Sequence, residues 1–146
     1  MTKPVVNIAD VPLRDGGNGN QFVARLGRIG ASIGAQKLGC QLHIVPAGKK
    51  AFPRHCHHAN EEMFYVVSGE GTYRVGDETY PIRAGDVIGA PAGDASTAHQ
   101  IVNASGGELR YLAIGYPHHS SEASGLVSST FPTMVAYVAG PTATAC

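Results

Sequence analysis

His55-Cys56-His57-His58-Ala59-Asn60-Glu61-Glu62-Met63-Phe64-Tyr65-Val66-Val67-Ser68-Gly69 is the stretch whose reading decides the fold. Two histidines spaced i, i+2 lead to a pair of carboxylates, and an alternating apolar run follows until glycine stops it. In an extended chain, side chains at i and i+2 point to the same face, so His55 and His57 converge on one point. Neutral imidazoles joined by a carboxylate suit a borderline divalent metal. Glu62–Ser68 reads as a strand, and Gly69-Glu70-Gly71 turns it.

Downstream, the strand–turn–strand pattern repeats. Thr72–Val75 and Glu78–Ile82 flank Gly76-Asp77, a two-residue hairpin turn with glycine first. Val87–Ala90 is a short strand stopped by Pro91-Ala92-Gly93, and His99–Ala104 with Leu109–Gly115 form a last pair. Upstream, residues 21–29 and 37–45 read as strands, with Gly16-Gly17-Asn18-Gly19-Asn20 as a short mobile loop. Residues 117–133 read as loop, and Met134–Val138 as a final strand or part of a docking tail. No window carries an apolar helical stripe over three turns. Eight or more short antiparallel strands in 146 residues predict an all-β barrel or double-sheet jelly roll.

The bulk numbers agree with a single domain. Only 15% of residues are charged, while 19 Gly and 9 Pro supply turns. The formal net charge is zero, which provides no electrostatic footprint for nucleic acid or an anionic membrane. No apolar run is long enough to cross a bilayer, and the N-terminus lacks the apolar region of a signal peptide. Cys40, Cys56 and Cys146 are odd in number and widely spaced, unlike a disulfide framework, and a cytoplasmic protein is expected.

Glu61 and Glu62 face opposite sides of a strand, so at most one joins the histidines. Parity does not choose between them, because Pro53 and the His58-Ala59-Asn60 corner interrupt the strand. His99 is the fourth candidate ligand; it opens a strand in which Asn103 shares its face. Three neutral histidines and one carboxylate around a divalent ion leave a net charge of +1 and one or two open positions, as in catalytic rather than closed structural sites. The ion would act as a Lewis acid or acidify bound water, and iron or manganese would also bind dioxygen. The bland alternative is a solvated His-rich loop with adventitious metal affinity.

Other residues are weighed in the same way. Alternation turns Cys56 away from the histidines, into packing. His43 is either a polar pocket residue or an exposed strand position. Phe64 and Tyr73 read as core or pocket wall, His58 as an exposed corner, and His118 and His119 as solvated. Lys49, Lys50 and Arg54 read as a solvated basic edge, or as a receptor for an anionic substrate if they face the barrel mouth. No nucleophile elbow, dinucleotide fingerprint or P-loop spacing is present.

These residues resemble the cupin superfamily, whose first motif is G-x5-H-x-H-x3-4-E-x6-G and whose second is G-x5-P-x-G-x2-H-x3-N. His55, His57, Glu62 and Gly69 match the first, although Gly48 lies six residues before His55 rather than five. Gly85, Pro91, Gly93, His99 and Asn103 match the second, with five residues rather than two between Gly93 and His99. The resemblance favours Glu62 over Glu61. It implies a cupin double-stranded β-helix divided six plus five or similarly, with His55, His57, Glu62 and His99 as ligands to one Mn, Fe, Zn or Ni ion inside it. It is closest to small single-domain bacterial cupins of the mannose-6-phosphate-isomerase-like or oxalate-decarboxylase-like type.

The resulting expectation divides the chain into an N-terminal arm (1–36) making a homodimer contact, a barrel core (37–116), and a loop and tail (117–146). The expected function is a metal-dependent enzyme acting on a small oxygen-rich substrate, as dioxygenase, decarboxylase or isomerase. The alternative is a non-catalytic small-molecule or sugar-binding module. His43, Phe64, Tyr73 and Asn103 are the pocket candidates beside the ligands.

Overall fold

Each strongly alternating segment forms a strand in the computed structural model, which describes residues 2–115. In chain order these are β1 (Leu13–Asn18), β2 (Phe22–Arg28), β3 (Gly39–Val45), β4 (Glu62–Ser68), β5 (Glu70–Val75), β6 (Glu78–Arg83), β7 (Val87–Ala90), β8 (His99–Val102) and β9 (Leu109–Gly115). A single helical turn, α1 (Ile29–Ser32), follows β2, and 3-10 turns cover Ile8–Asp10 and Ala95–Thr97. Strand pairs are antiparallel throughout. One sheet has the order β1-β2-β3-β9-β4-β7 and the other β6-β5-β8. Among the described residues the division is six plus three, where six plus five or a similar division was expected. The anticipated loop, strand and tail over 117–146 lie outside the described residues.

Two local expectations are corrected. Gly16, Gly17 and Asn18 belong to β1, paired with Ala24, Val23 and Phe22, and do not form a loop. Glycine allows this close ladder: at Gly17, φ is +119°, and an added Cβ would lie 1.9 Å from the Phe22 carbonyl oxygen. The expected pairing of the His99 and Leu109 strands also fails. β8 pairs with β5, whereas β9 lies between β3 and β4 in the other sheet. The connection 103–108 therefore crosses between sheets. Gly69 turns the chain close beneath this crossing, at φ +84°, where a Cβ would meet the Glu108 carbonyl oxygen at 2.3 Å.

β3 explains how the layers stack. Gln41, Leu42, His43, Ile44 and Val45 are all buried, so this strand is covered on both faces. Leu42 and Ile44 point outward to Val11 and Ile29, with Val6, Ile8 and Ile33 packed against the same cluster. The apolar residues of the N-terminal segment thus cover the chain's own sheet. The inner cluster includes Leu26, Val45, Phe64, Val66, Ile88, Leu109 and Tyr111 and fills the space between the sheets. Each fully buried side chain of this size contributes about 1.5–3 kcal/mol. Among the described residues, no helix is long and apolar enough to cross a membrane.

Candidate metal centre

Backbone pairing brings the histidines together. His55 N–H donates to the His99 carbonyl at 3.1 Å, and His99 N–H to the His55 carbonyl at 2.8 Å, which sets the two residues side by side. The Gly93 N–H bonds to the His57 carbonyl and holds the next turn. The long spacing between Gly93 and His99 is absorbed by the Ala95–Thr97 turn, which Asp94 caps by accepting from Ser96 N–H at 2.9 Å. His99 thereby still opens β8, opposite Val75.

Glu62 completes the group from the first position of β4, half-buried, whereas Glu61 is exposed. Ligand atoms of His55, His57, Glu62 and His99 lie within 4.8 Å of one another. The Glu62 Oε2 is 3.9 Å from His55 Nε2, 3.1 Å from His57 Nε2 and 3.0 Å from His99 Nε2. On the far side of two rings, the Nδ1–H groups of His55 and His99 donate to the carbonyls of Pro53 (2.9 Å) and Thr97 (3.3 Å). Such outer bonds set the tautomer and leave the Nε2 lone pairs facing inward. Lone pairs facing a carboxylate oxygen need positive charge between them, so the donor set fits a divalent cation.

Burial governs the electrostatics. It pushes the His55 pKa down to about 4, helped by His99. Burial alone would raise the Glu62 carboxyl, but the adjoining imidazoles of His57 and His99 outweigh it and hold the group well below the carboxylate range. Tyr73 is pushed up to about 12 by burial, and Tyr111 is raised further for the same reason.

The four side chains open onto a cavity of about 30 Å³, whose other walls include His43, Phe52, Phe64, Gln100, Ile101 and Tyr111. His43 and Phe64 are therefore in the pocket. Tyr73 and Asn103 are not among its lining residues. The Tyr73 hydroxyl donates to the Gly89 carbonyl at 3.3 Å, behind the wall. The Asn103 amide donates to the carbonyls of Val45, Pro46 and Gly107 and so fastens the crossover loop. Cys56 is buried, and His58 is exposed beside the Gly93 carbonyl. His118 and His119 lie outside the described residues. Arg54 donates to the carbonyls of Ala98 and Gly76, and Lys49 to that of Asn20.

Sequence reasoning passed over Gln41 and Gln100. The Nε2–H of His43 donates to Gln41 Oε1 at 3.0 Å, and Gln100 Nε2 donates to the Phe52 carbonyl at 3.0 Å. The Gln41–His43 spacing of i, i+2 was a readable signal for one of them. The position of His43 opposite Tyr111, 4.8 Å between ring centroids, depends on the β3–β9 register.

Burial lowers the His43 pKa from its ordinary 6.5 to about 3. The folded state disfavours protonation, so this contribution to stability is complete above about pH 6.5 and is lost as pH falls toward 3. The slope approaches about 1.4 kcal/mol per pH unit within that window. Urea unfolding at pH 7 and 4.5 is expected to show a fall in stability about 2 kcal/mol smaller in His43→Gln than in the parent. Parallel pH slopes for the two proteins would refute the assignment.

Residues 41–115 match the family described as Cupin domain. An uncharacterized protein of Methanocaldococcus jannaschii is 34% identical over 79 residues, which is 54% of this chain and 60% of that protein. The chain thus spans less than two thirds of that relative's length. The oxalate-binding protein of Thermotoga maritima is 28% identical over 99 residues, covering 68% of this chain and 78% of the relative. A solved structure from Acidithiobacillus ferrooxidans, provisionally described as a sugar phosphate isomerase, superposes with TM-score 0.69 at 29% identity, covering 80% of this chain and 76% of that one. A Thermotoga maritima structure described as a predicted oxalate decarboxylase shares the fold, with TM-score 0.66 at 22% identity and coverage of 77% and 97%.

Proposed function

The chain belongs to the cupin family, and on that premise we propose that it is a metal-dependent protein that takes a small oxygen-rich molecule onto an ion held by His55, His57, Glu62 and His99. One observation carries the reading: three largely sheltered imidazole nitrogens converge on one carboxylate oxygen at the wall of a cavity. A bound divalent transition metal would supply Lewis acidity toward a carboxylate, carbonyl or enediol, with the redox options of iron or manganese if one of these is the ion.

The chain's own groups favour metal-centred chemistry over an independent acid or base. His43, the further titratable imidazole in the wall, is held neutral by burial, and Tyr111 is held protonated. Both act as fixed walls that orient a ligand and exclude water. The same observation supports a second reading, a binding module without turnover, because apolar walls with a few fixed hydrogen-bonding groups are typical of ligand pockets. The names of the oxalate-binding and isomerase-like relatives agree with a small oxygen-rich ligand in either case.

Elemental analysis and cobalt(II) substitution test the proposal. One equivalent of metal per chain is expected, and azide should alter the visible spectrum of the cobalt protein by entering an open position. A stoichiometric cobalt spectrum that ignores saturating azide would indicate a closed structural site and overturn the reading.

A further inference from the structure

Resting on that metal-site reading, we infer that the ligand is a compact, unphosphorylated oxyacid that chelates through its acidic end, and that phosphorylated sugars are excluded.

Three observations carry this. The first is size. The cavity holds about 30 Å³. One water-sized group occupies about 10–15 Å³ by this measure, and pockets for larger ligands run to about 300–1,000 Å³. The space therefore suits a carboxylate with one neighbouring oxygen-bearing carbon.

The second is charge. A phosphate at the far end of a sugar needs cationic partners, because an unpaired buried anion is costly. The protein has 11 Lys and Arg residues, all within the described residues, and the stretch 116–146 contains none. None of the 11 lines the cavity. Of Lys49, Lys50 and Arg54, the cations nearest the motif in sequence, Arg54 and Lys49 are turned to the backbone carbonyls of Ala98, Gly76 and Asn20. A divalent ion with Glu62 as its one anionic ligand carries a net +1, so the ligand's negative charge is met at the ion.

The third is the character of the far wall. Phe52, Phe64, Ile101 and Tyr111 face the ligand position with largely apolar surface, and the polar His43 and Gln100 are anchored to Gln41 and the Phe52 carbonyl. This wall accepts a short neutral end and penalises a charged one.

Titration calorimetry on metal-loaded protein, with metal content measured before and after, tests the inference. Glyoxylate, glycolate and oxalate are the compact probes, and glucose 6-phosphate is the contrasting one. At least one compact acid should bind about 100-fold more tightly than glucose 6-phosphate, and the double variant Lys49→Gln/Lys50→Gln should bind that acid with unchanged affinity. Glucose 6-phosphate binding as tightly as the acids would overturn the inference, as would failure of all three acids to bind fully loaded protein. A chain that never takes up metal would instead count against the site itself, and elemental analysis separates that outcome from the others.

Discussion

Glu62→Gln is expected to strip the protein of most of its metal, while Glu61→Gln leaves it loaded. Glutamine keeps the shape of the side chain and one of its oxygens but removes the charge. An ion held only by three neutral imidazoles would then keep its full +2 in a half-sheltered site, without the carboxylate charge that stands 3.1 and 3.0 Å from the Nε2 atoms of His57 and His99. Loss of an outer-sphere partner alone costs about 10–100-fold in metal affinity, so loss of the charged ligand should exceed 100-fold. Glu61 is exposed, so its variant serves as a matched control for the same chemical change one residue earlier. Metal content per chain after dialysis reads the result, with circular dichroism to show that both variants are folded. Retention of a full equivalent by Glu62→Gln would eliminate this carboxylate as a ligand, and loss from Glu61→Gln would reverse the assignment. His57→Ala should likewise lose most of its metal.

The second large effect is structural. Asn103 is fully buried, and five hydrogen bonds run through its side chain: to the carbonyls of Val45, Pro46 and Gly107, and from the Ser105 backbone N–H and hydroxyl. Asn103→Ala leaves these groups without a partner where water has no access, at about 1–3 kcal/mol for each that stays unsatisfied. A total loss of about 3–5 kcal/mol is expected, which lowers Tm by on the order of 10 °C for a domain of this size. Asn103→Asp should be worse, because a carboxylate oxygen would face three carbonyl oxygens. Thermal unfolding measures both, and an Asn103→Ala Tm within about 2 °C of the parent would show that the crossover does not depend on this residue. A pocket role makes the opposite prediction, weakened ligand binding with an unchanged Tm.

These two residues mark where the sequence was legible. The i, i+2 histidines, the acidic pair and the strand opened by His99 are local patterns, and local geometry alone aims their side chains. The resemblance selected Glu62, and burial in the structure agrees, since Glu62 is sheltered at the start of β4 and Glu61 is not. Asn103 carried the right parity to face the pocket. Its side chain was taken up by the loop because the chain leaves β8 for the other sheet one residue earlier, exposing three carbonyls that need donors. The glycine cluster at 16–18 looked like a loop on composition, yet the absence of side chains is what lets β1 lie against β2.

The amino-acid sequence by itself determined the all-β class, most strand positions and the residue types able to hold an ion, because period-two patterning and turn chemistry act over a few residues. Only the tertiary structure decided which strands share a sheet, that His43 stands opposite Tyr111, that Lys49 and Arg54 turn to backbone carbonyls, and how small the cavity is. Those outcomes depend on register and packing between segments as far apart as His43 and Tyr111, and such distant contacts form only when the whole barrel closes.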